Sequence, residues 1–293
     1  EPTRHHLKTE AGANLGKHQL VFGYDGYRQE TVFRNDVGEP ASGGIVHLFP
    51  KSKIHTIKTT KHSLFIHDSV TLKPDTLSAI MGLRYEAYDN VDDVFVPRMG
   101  LIYTPYDDSS FRFIYGGGFR APNGFDVVRA NNAGVGSLEP IESDMIEVGY
   151  IQSASGSDWS LFNNFSIYSY KIDGNYINTL VADSGGTGKF LLEPDDRSKS
   201  LGIENMLKFE YGPLNGFLSA RYSDPDERVV AGEDILKDIP KYKVKFGLSY
   251  ELSDSVTASL FMDHWADVKT EANLVDVAGT EVHEISNWTT LDL

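Results

Sequence analysis

Residues able to do chemistry are abundant in this chain but thinly spread. Nine histidines stand at positions 5, 6, 18, 47, 55, 62, 67, 264 and 283. His5 and His6 are adjacent, and metal or haem ligation needs side chains that converge, whereas neighbours on an extended strand point to opposite faces. No metal site is expected from them. Lys51, Lys53, His55, Lys58, Lys61 and His62 form a locally basic run in an acidic chain. Such a run attracts an anion, a metal chelate or a lipid phosphate, or else is simply a solvated rim. Asp92-Asp93 and Asp224-Pro225-Asp226-Glu227 group oxygen ligands of the kind Ca²⁺ takes, on segments expected to be loops, but without EF-hand spacing. Ser, His and Asp all occur, yet in no nucleophile-elbow or other catalytic context. No catalytic residue is expected, no cofactor is called for, and the chain is not read as an enzyme.

The balance of charge narrows the partners. Forty-two acidic against 27 basic residues give a net charge of −15, which opposes binding to nucleic-acid phosphates. Cysteine is absent, so neither disulfides nor thiolate metal centres can hold the fold, and stability must come from packing and backbone pairing. No run of apolar residues is long enough for a transmembrane helix. A low mean hydropathy is still compatible with a membrane barrel, where only every second strand residue meets lipid.

The elements that would position these groups are strands. Tyr242, Val244, Phe246, Leu248 and Tyr250 alternate with Lys243, Lys245, Gly247, Ser249 and Glu251, which places the two sets on opposite faces. Leu77, Ala79, Met81, Leu83, Tyr85 and Ala87 alternate likewise with Ser78, Ile80, Gly82, Arg84, Glu86 and Tyr88. About 13 strands are expected, at 4–14, 19–32, 56–72, 76–89, 95–106, 109–120, 143–154, 158–173, 198–211, 215–224, 240–252, 255–268 and 285–293. Many reach the roughly 9–11 residues that a tilted strand needs to cross a bilayer. Short turns near 16–18, 73–75, 107–108, 155–157, 212–214 and 253–254 alternate with long loops over 33–55, 121–142, 174–197, 225–239 and 269–284, apart from a shorter link near 90–94. An up-and-down membrane barrel sorts its connections in this way. The fold class expected is all-β, an antiparallel transmembrane β-barrel.

The non-aromatic faces carry Gly23, Gly82, Gly100, Gly116, Gly118, Gly149, Gly202 and Gly247. Glycine there lets a sheet bend or another backbone approach closely. Arg84, Arg98, Arg112 and Glu204 share that face and are expected to point into a wet or plugged lumen, since a dry core would penalise them heavily.

Specific words then appear in order: Gly82-Leu83-Arg84-Tyr85-Glu86, Pro97-Arg98-Met99-Gly100-Leu101-Ile102-Tyr103, Tyr115-Gly116-Gly117-Gly118-Phe119-Arg120-Ala121-Pro122, Leu138-Glu139-Pro140 and Glu147-Val148-Gly149-Tyr150. Gly202-Ile203-Glu204, Ile239-Pro240-Lys241-Tyr242 and Trp288-Thr289-Thr290-Leu291-Asp292-Leu293 follow. The series resembles the barrel of TonB-dependent receptors, with one departure: Pro140 is followed by Ile141 before Glu142. The resemblance implies that residues 1–293 are part of a barrel of about 22 strands. It implies that the plug domain, some strands at each end and the segment gripped by TonB lie outside this chain. It also implies a monomer in the bacterial outer membrane, in contact with lipid and lipopolysaccharide, taking up a scarce bulky ligand such as a ferric siderophore or cobalamin. Ligand contacts are expected from the outer loops and rim, at Arg120, Asn123, Arg129 and Glu147. The absence of histidine from 123–138 lowers a haem ligand. A passive porin, an outer-membrane hydrolase and a soluble β-sandwich with an adhesive role are the alternatives.

Overall fold

The computed structural model describes residues 3–34, 54–89, 91–123, 139–173, 176–182, 188–194, 198–225, 229–230, 233–234, 240–275, 281–285 and 287–292. Its strands are β1 (Thr3–Leu15), β2 (His18–Arg34), β3 (Ile54–Lys73), β4 (Leu77–Tyr88), β5 (Val91–Tyr106), β6 (Ser109–Arg120), β7 (Ile141–Ser155), β8 (Trp159–Asp173), β9 (Tyr176–Ala182), β10 (Gly188–Pro194), β11 (Ser198–Tyr211), β12 (Leu214–Pro225), β13 (Val229–Val230), β14 (Glu233–Asp234), β15 (Pro240–Ser253), β16 (Val256–Val275), β17 (Glu281–Ile285) and β18 (Trp288–Asp292).

A single antiparallel meander contains most of them. The order is β1-β2-β3-β4-β5-β6-β7-β8-β11-β12-β15-β16-β17, and β18 also pairs with β16. Tight turns at 16–17, 74–76, 107–108, 156–158, 212–213 and 254–255 all close hairpins at the same end of the sheet. Gly16 and Gly212 adopt φ of 63° and 53° there, a backbone region that glycine enters without steric cost. Asp75 does the same at φ 56°, an aspartate being among the few side chains that tolerate it.

The structure departs from the sequence expectations in three places. β5 begins at Val91, so Asp92 and Asp93 lie in a strand rather than a loop, and only residues 89–90 separate β4 from β5. The stretches expected as loops at 174–197 and 225–239 contain two-stranded pieces, β9 with β10 and β13 with β14, separate from the main sheet. The strand expected at 285–293 is split into β17 and β18, both on the same edge of β16 and in the same register: Val268 faces Ile285 and Trp265 faces Trp288. The break falls beside Asp267, whose φ is 56° and whose amide donates to Asn287 Oδ1 at 3.2 Å. A positive-φ residue kinks one strand, and the opposite strand loses a ladder step.

The two faces of the sheet have opposite chemistry. On one, Leu64, Tyr85 and Phe95 stand side by side, as do Leu101, Phe113 and Val148, and then Ile167, Ile203 and Tyr222. Most of these large side chains are exposed, while the buried apolar residues are few and small, chiefly valines such as Val94 and Val96. An apolar face of this extent is untenable in water and is the stable arrangement in lipid. Aromatic pairs mark its limits. Tyr85 and Phe95 meet near the long-loop end with ring centroids 5.8 Å apart, and Tyr103, Phe111 and Tyr150 meet near the tight-turn end at 6.4 and 4.8 Å. From Phe95 to Tyr103 is about 27 Å along the strand. At a tilt of about 40° that becomes about 21 Å, close to the ~25 Å apolar band of an outer-membrane barrel. No helix among the described residues is long and apolar enough to cross a membrane; the strands make the crossing.

Candidate functional site

The other face of the sheet is polar, and it gathers the charged residues singled out above. Nearest the first strands is a network on β1–β4. Asp25 takes His6 Nε2 at 2.7 Å, Lys61 Nζ at 3.2 Å and Arg84 Nη2 at 3.2 Å. Glu86 takes Arg84 Nε at 2.5 Å, the Tyr88 hydroxyl at 2.6 Å and Lys61 Nζ at 3.7 Å. Glu86 is the most enclosed, its side chain 3% exposed, and Lys61 follows at 10%. Arg4 lies over the Tyr27 ring at 4.2 Å and completes the cluster toward the edge. Register explains the assembly: Tyr27 opposes both His6 and Lys61, Asp25 opposes Ser63, and Ser63 opposes Glu86, so all share one face. Two cations and two anions in close contact satisfy one another, which is what such enclosed charges require. The described part of the basic run is thereby divided, while Lys51, Lys53 and the His55 side chain lie outside the described residues. Lys61 is committed to this network on the inner face, Lys58 lies 3.8 Å from Glu30, and His62 turns to the outer face, where its Nδ1 meets the Tyr24 hydroxyl at 2.8 Å.

Next along the wall is a lane where glycines alternate with longer side chains. Gly82 faces Arg98, which faces Gly116, and Gly116 faces Met145; Gly118 faces Ser143 one step nearer the outer rim. Arg98 and Arg120 project from this lane, both exposed, and no hydrogen bond or ion pair holds either among the described residues. Deeper in the wall Arg112 Nε pairs with Glu147 Oε1 at 2.7 Å. The Arg112 side chain lies over Gly149, where a Cβ would come within 2.5 Å of its Nε. Further round, Arg221 Nε lies 3.5 Å from Glu204 Oε1, and Lys243 stands 3.9 Å over the Trp265 ring.

Each expected site residue can now be placed. Arg84, Arg98, Arg112 and Glu204 all lie on the polar face, in four separate surroundings rather than one cluster. Arg120 closes β6 at the outer rim, exposed on the same face, and Asn123 follows three residues later, also exposed. Glu147 lies six residues below Ile141, the outer end of β7, and is engaged with Arg112. Arg129 lies outside the described residues. The acidic pair Asp92-Asp93 is separated by strand alternation, with Asp93 accepting from the Tyr85 hydroxyl on the apolar face. Asp25, Glu86, Arg221, Lys243, Trp265 and Trp288 were not singled out from sequence as site residues, and Lys61 was named there only as part of the basic run. Their common signal is inward phase on a strand, which becomes informative only when register places them side by side.

The comparisons with known proteins agree with this geometry. In solved structures the chain is similar to the ferric enterobactin receptor PfeA, at 17% identity and a TM-score of 0.76, over 99% of this chain and 45% of that one. The Pseudomonas aeruginosa PfeA mutant Q482A with enterobactin gives 17% and 0.70 over the same shares. The siderophore receptor PirA from Acinetobacter baumannii gives 13% and 0.67, and the FrpB iron transporter from Neisseria meningitidis 13% and 0.69, each over 99% of this chain and 47% of the other. The chain thus spans less than half the length of these structures. A search of curated proteins finds no match. The family described as TonB dependent receptor-like, beta-barrel, matches residues 3–293. Lipid-facing stripes, tight turns gathered at one end, a charged inner wall and this match agree: the chain belongs to the TonB-dependent receptor β-barrel family and is an outer-membrane protein.

Proposed function

We propose that the chain supplies barrel wall to a receptor that captures a scarce, bulky ligand outside the cell and admits it with energy delivered through TonB. The observation that carries this is the inner wall: enclosed ion pairs, a glycine-lined lane and exposed Arg98 and Arg120, facing away from the lipid. A passive pore has use for lumen charges, but a lane of Gly82, Gly116 and Gly118 suits close contact with another backbone. In this reading a plug domain from outside this chain packs on that lane, further strands complete the closed barrel, and the receptor works as a monomer among lipid and lipopolysaccharide. The ligand is a ferric siderophore, supported by the ferric enterobactin, siderophore and iron receptors that share the fold. The chain takes no catalytic part.

The test uses the full receptor expressed in an outer membrane lacking other iron receptors. Import of radioactive ferric siderophore should be saturable and should stop when TonB is deleted, while surface binding persists. Import that continues at the same rate without TonB overturns the energised reading in favour of a passive barrel. Labelled cobalamin, the other bulky ligand that the resemblance implies, serves as the second cargo in the same assay.

A further inference from the structure

A groove of about 560 Å³ opens on the lipid-facing side of the first five strands. Phe22, Tyr24, Leu64, Ile66, Leu83 and Phe95 form most of it, on β2 to β5, each of which has a ladder neighbour on both sides. Thr9 and Ala11 of β1 stand at its margin. We propose that this groove seats an acyl chain of one lipopolysaccharide molecule, whose phosphate Arg28 holds above it. The site lies on the opposite side of the wall from the glycine lane and does not depend on the uptake reading.

Size, small against large, shapes the groove more than which apolar residue stands where. Ala11 and Thr9 oppose Phe22 and Tyr24, and these oppose Ile66 and Leu64 in turn. Small side chains beside large ones leave a furrow along the strands. Tyr24 leans lengthwise over Gly26, where any Cβ would collide with its hydroxyl. That hydroxyl meets His62 Nδ1 at 2.8 Å, and the two ring centroids are 6.0 Å apart. Tyr24 is thus a fixed wall whose polar edge faces the outer end. In a bilayer such an apolar furrow is filled by hydrocarbon rather than water.

The charge above the groove selects the lipid. Arg28 follows Gly26 by two residues and shares its face, exposed. Counted from their tight turns, Arg28 and His62 stand about level with Phe95, at the outer limit of the apolar band. The neighbouring charges are engaged: Lys58 lies 3.8 Å from Glu30, and Asp89 Oδ2 accepts from the Thr60 amide at 3.1 Å. No hydrogen bond or ion pair holds Arg28 among the described residues. A guanidinium at a lipid boundary matches a phosphate at the same depth, with two parallel N–H donors. Tyr24 and Arg28 are about 13 Å apart along β2, which sets a headgroup directly over the chain below it. Lipopolysaccharide, the outer-leaflet lipid, carries both phosphates and several acyl chains.

The test titrates the full receptor, purified in detergent and freed of native lipid, with radioactive lipopolysaccharide. Faster migration on unheated gels first shows that each variant is folded. Arg28→Gln should weaken binding about tenfold, and Arg28→Lys should recover part of the loss. Lipopolysaccharide stripped of its phosphates should bind wild type about tenfold more weakly and be indifferent to Arg28→Gln, which probes the contact without relying on a variant. Leu64→Trp, which fills the groove, should weaken both forms roughly threefold to tenfold. Leu218→Trp, elsewhere on the apolar face, should weaken neither. Arg28→Gln binding like wild type, or stripped lipid binding as tightly as intact lipid, overturns the phosphate contact and the site with it. Equal losses in Leu64→Trp and Leu218→Trp overturn the groove in favour of an undifferentiated apolar belt. Displacement of the label by an equal concentration of phosphatidylglycerol overturns lipopolysaccharide as the occupant in favour of any anionic lipid.

Discussion

Arg98 and Met99 are adjacent and face opposite sides of β5, so exchanging their characters tests which side meets lipid. Met99 sits on the apolar face, 46% exposed, flanked by Met81 and Tyr115. It lies midway between Phe95 and Tyr103, about 14 Å along the strand from either. With tilt that is about 10 Å of depth, too far for an arginine to reach either interface. An arginine near the bilayer midplane costs about 2–4 kcal/mol in a barrel of this kind. Met99→Arg should therefore shift the folding equilibrium in lipid by roughly thirtyfold to a thousandfold, at about 1.4 kcal/mol per tenfold. Arg98→Met, one residue away on the polar face, removes an exposed cation without an ion pair and should change stability by less than about 1 kcal/mol. The full receptor is folded into phospholipid vesicles across a urea series, and the folded fraction is read by its faster migration on unheated gels. A Met99→Arg midpoint no lower than that of Arg98→Met would refute the assignment of faces, and with it the membrane-spanning sheet.

Three further outcomes follow from side-chain contacts. Glu86→Ala leaves enclosed Lys61 with Asp25 alone and frees Arg84 Nε, so it should lower stability by about 3 kcal/mol; the urea midpoint checks this, and amide exchange should rise first in β3 and β4. Gly149→Val drives a side chain into Arg112, breaking its 2.7 Å pair with Glu147 at a cost of about 1–3 kcal/mol, measured in the same titration, and Arg112→Ala in that background should restore part of it. Asn205 Nδ2 donates to Asn163 Oδ1 at 2.8 Å on the apolar face. Asn205→Ala should cost about 1 kcal/mol by stranding Asn163, whereas replacing both asparagines by leucine should be neutral or stabilising, which the vesicle-folding midpoint distinguishes.

The strands were legible because their two faces dissolve in different media. In β15, Tyr242 to Tyr250 must suit lipid while Lys243 to Ser249 must suit water or protein, and alternation of that contrast is visible without coordinates. Turn chemistry was legible too, since Gly16 and Gly212 occupy backbone regions that few residues enter. What escaped were relations between strands. Asp25, Lys61 and Glu86 come from three different strands, and nothing local to any of them announces the others. Asp92-Asp93 looked like a loop because paired acids usually are solvated; in β5 the two simply point to opposite faces, and Tyr85 takes up one of them. The break beside Asp267 escaped for a similar reason, because one positive φ and one Asn287 side chain decide it rather than any periodicity.

The same contrast explains why the inner wall is where function must be sought. On the lipid side, nearly any apolar residue of suitable size serves, so the choice among Leu64, Ile66 and Met81 carries little information. On the inner side water and protein tolerate many residues, so an arrangement with a standing cost needs a compensating gain. The network around Glu86 meets its cost internally, each charge holding another. Arg98 and Arg120 do not, and stand exposed among glycines. The plug backbone proposed for the glycine lane would meet these two arginines there, with the least disturbance to the lipid-facing side.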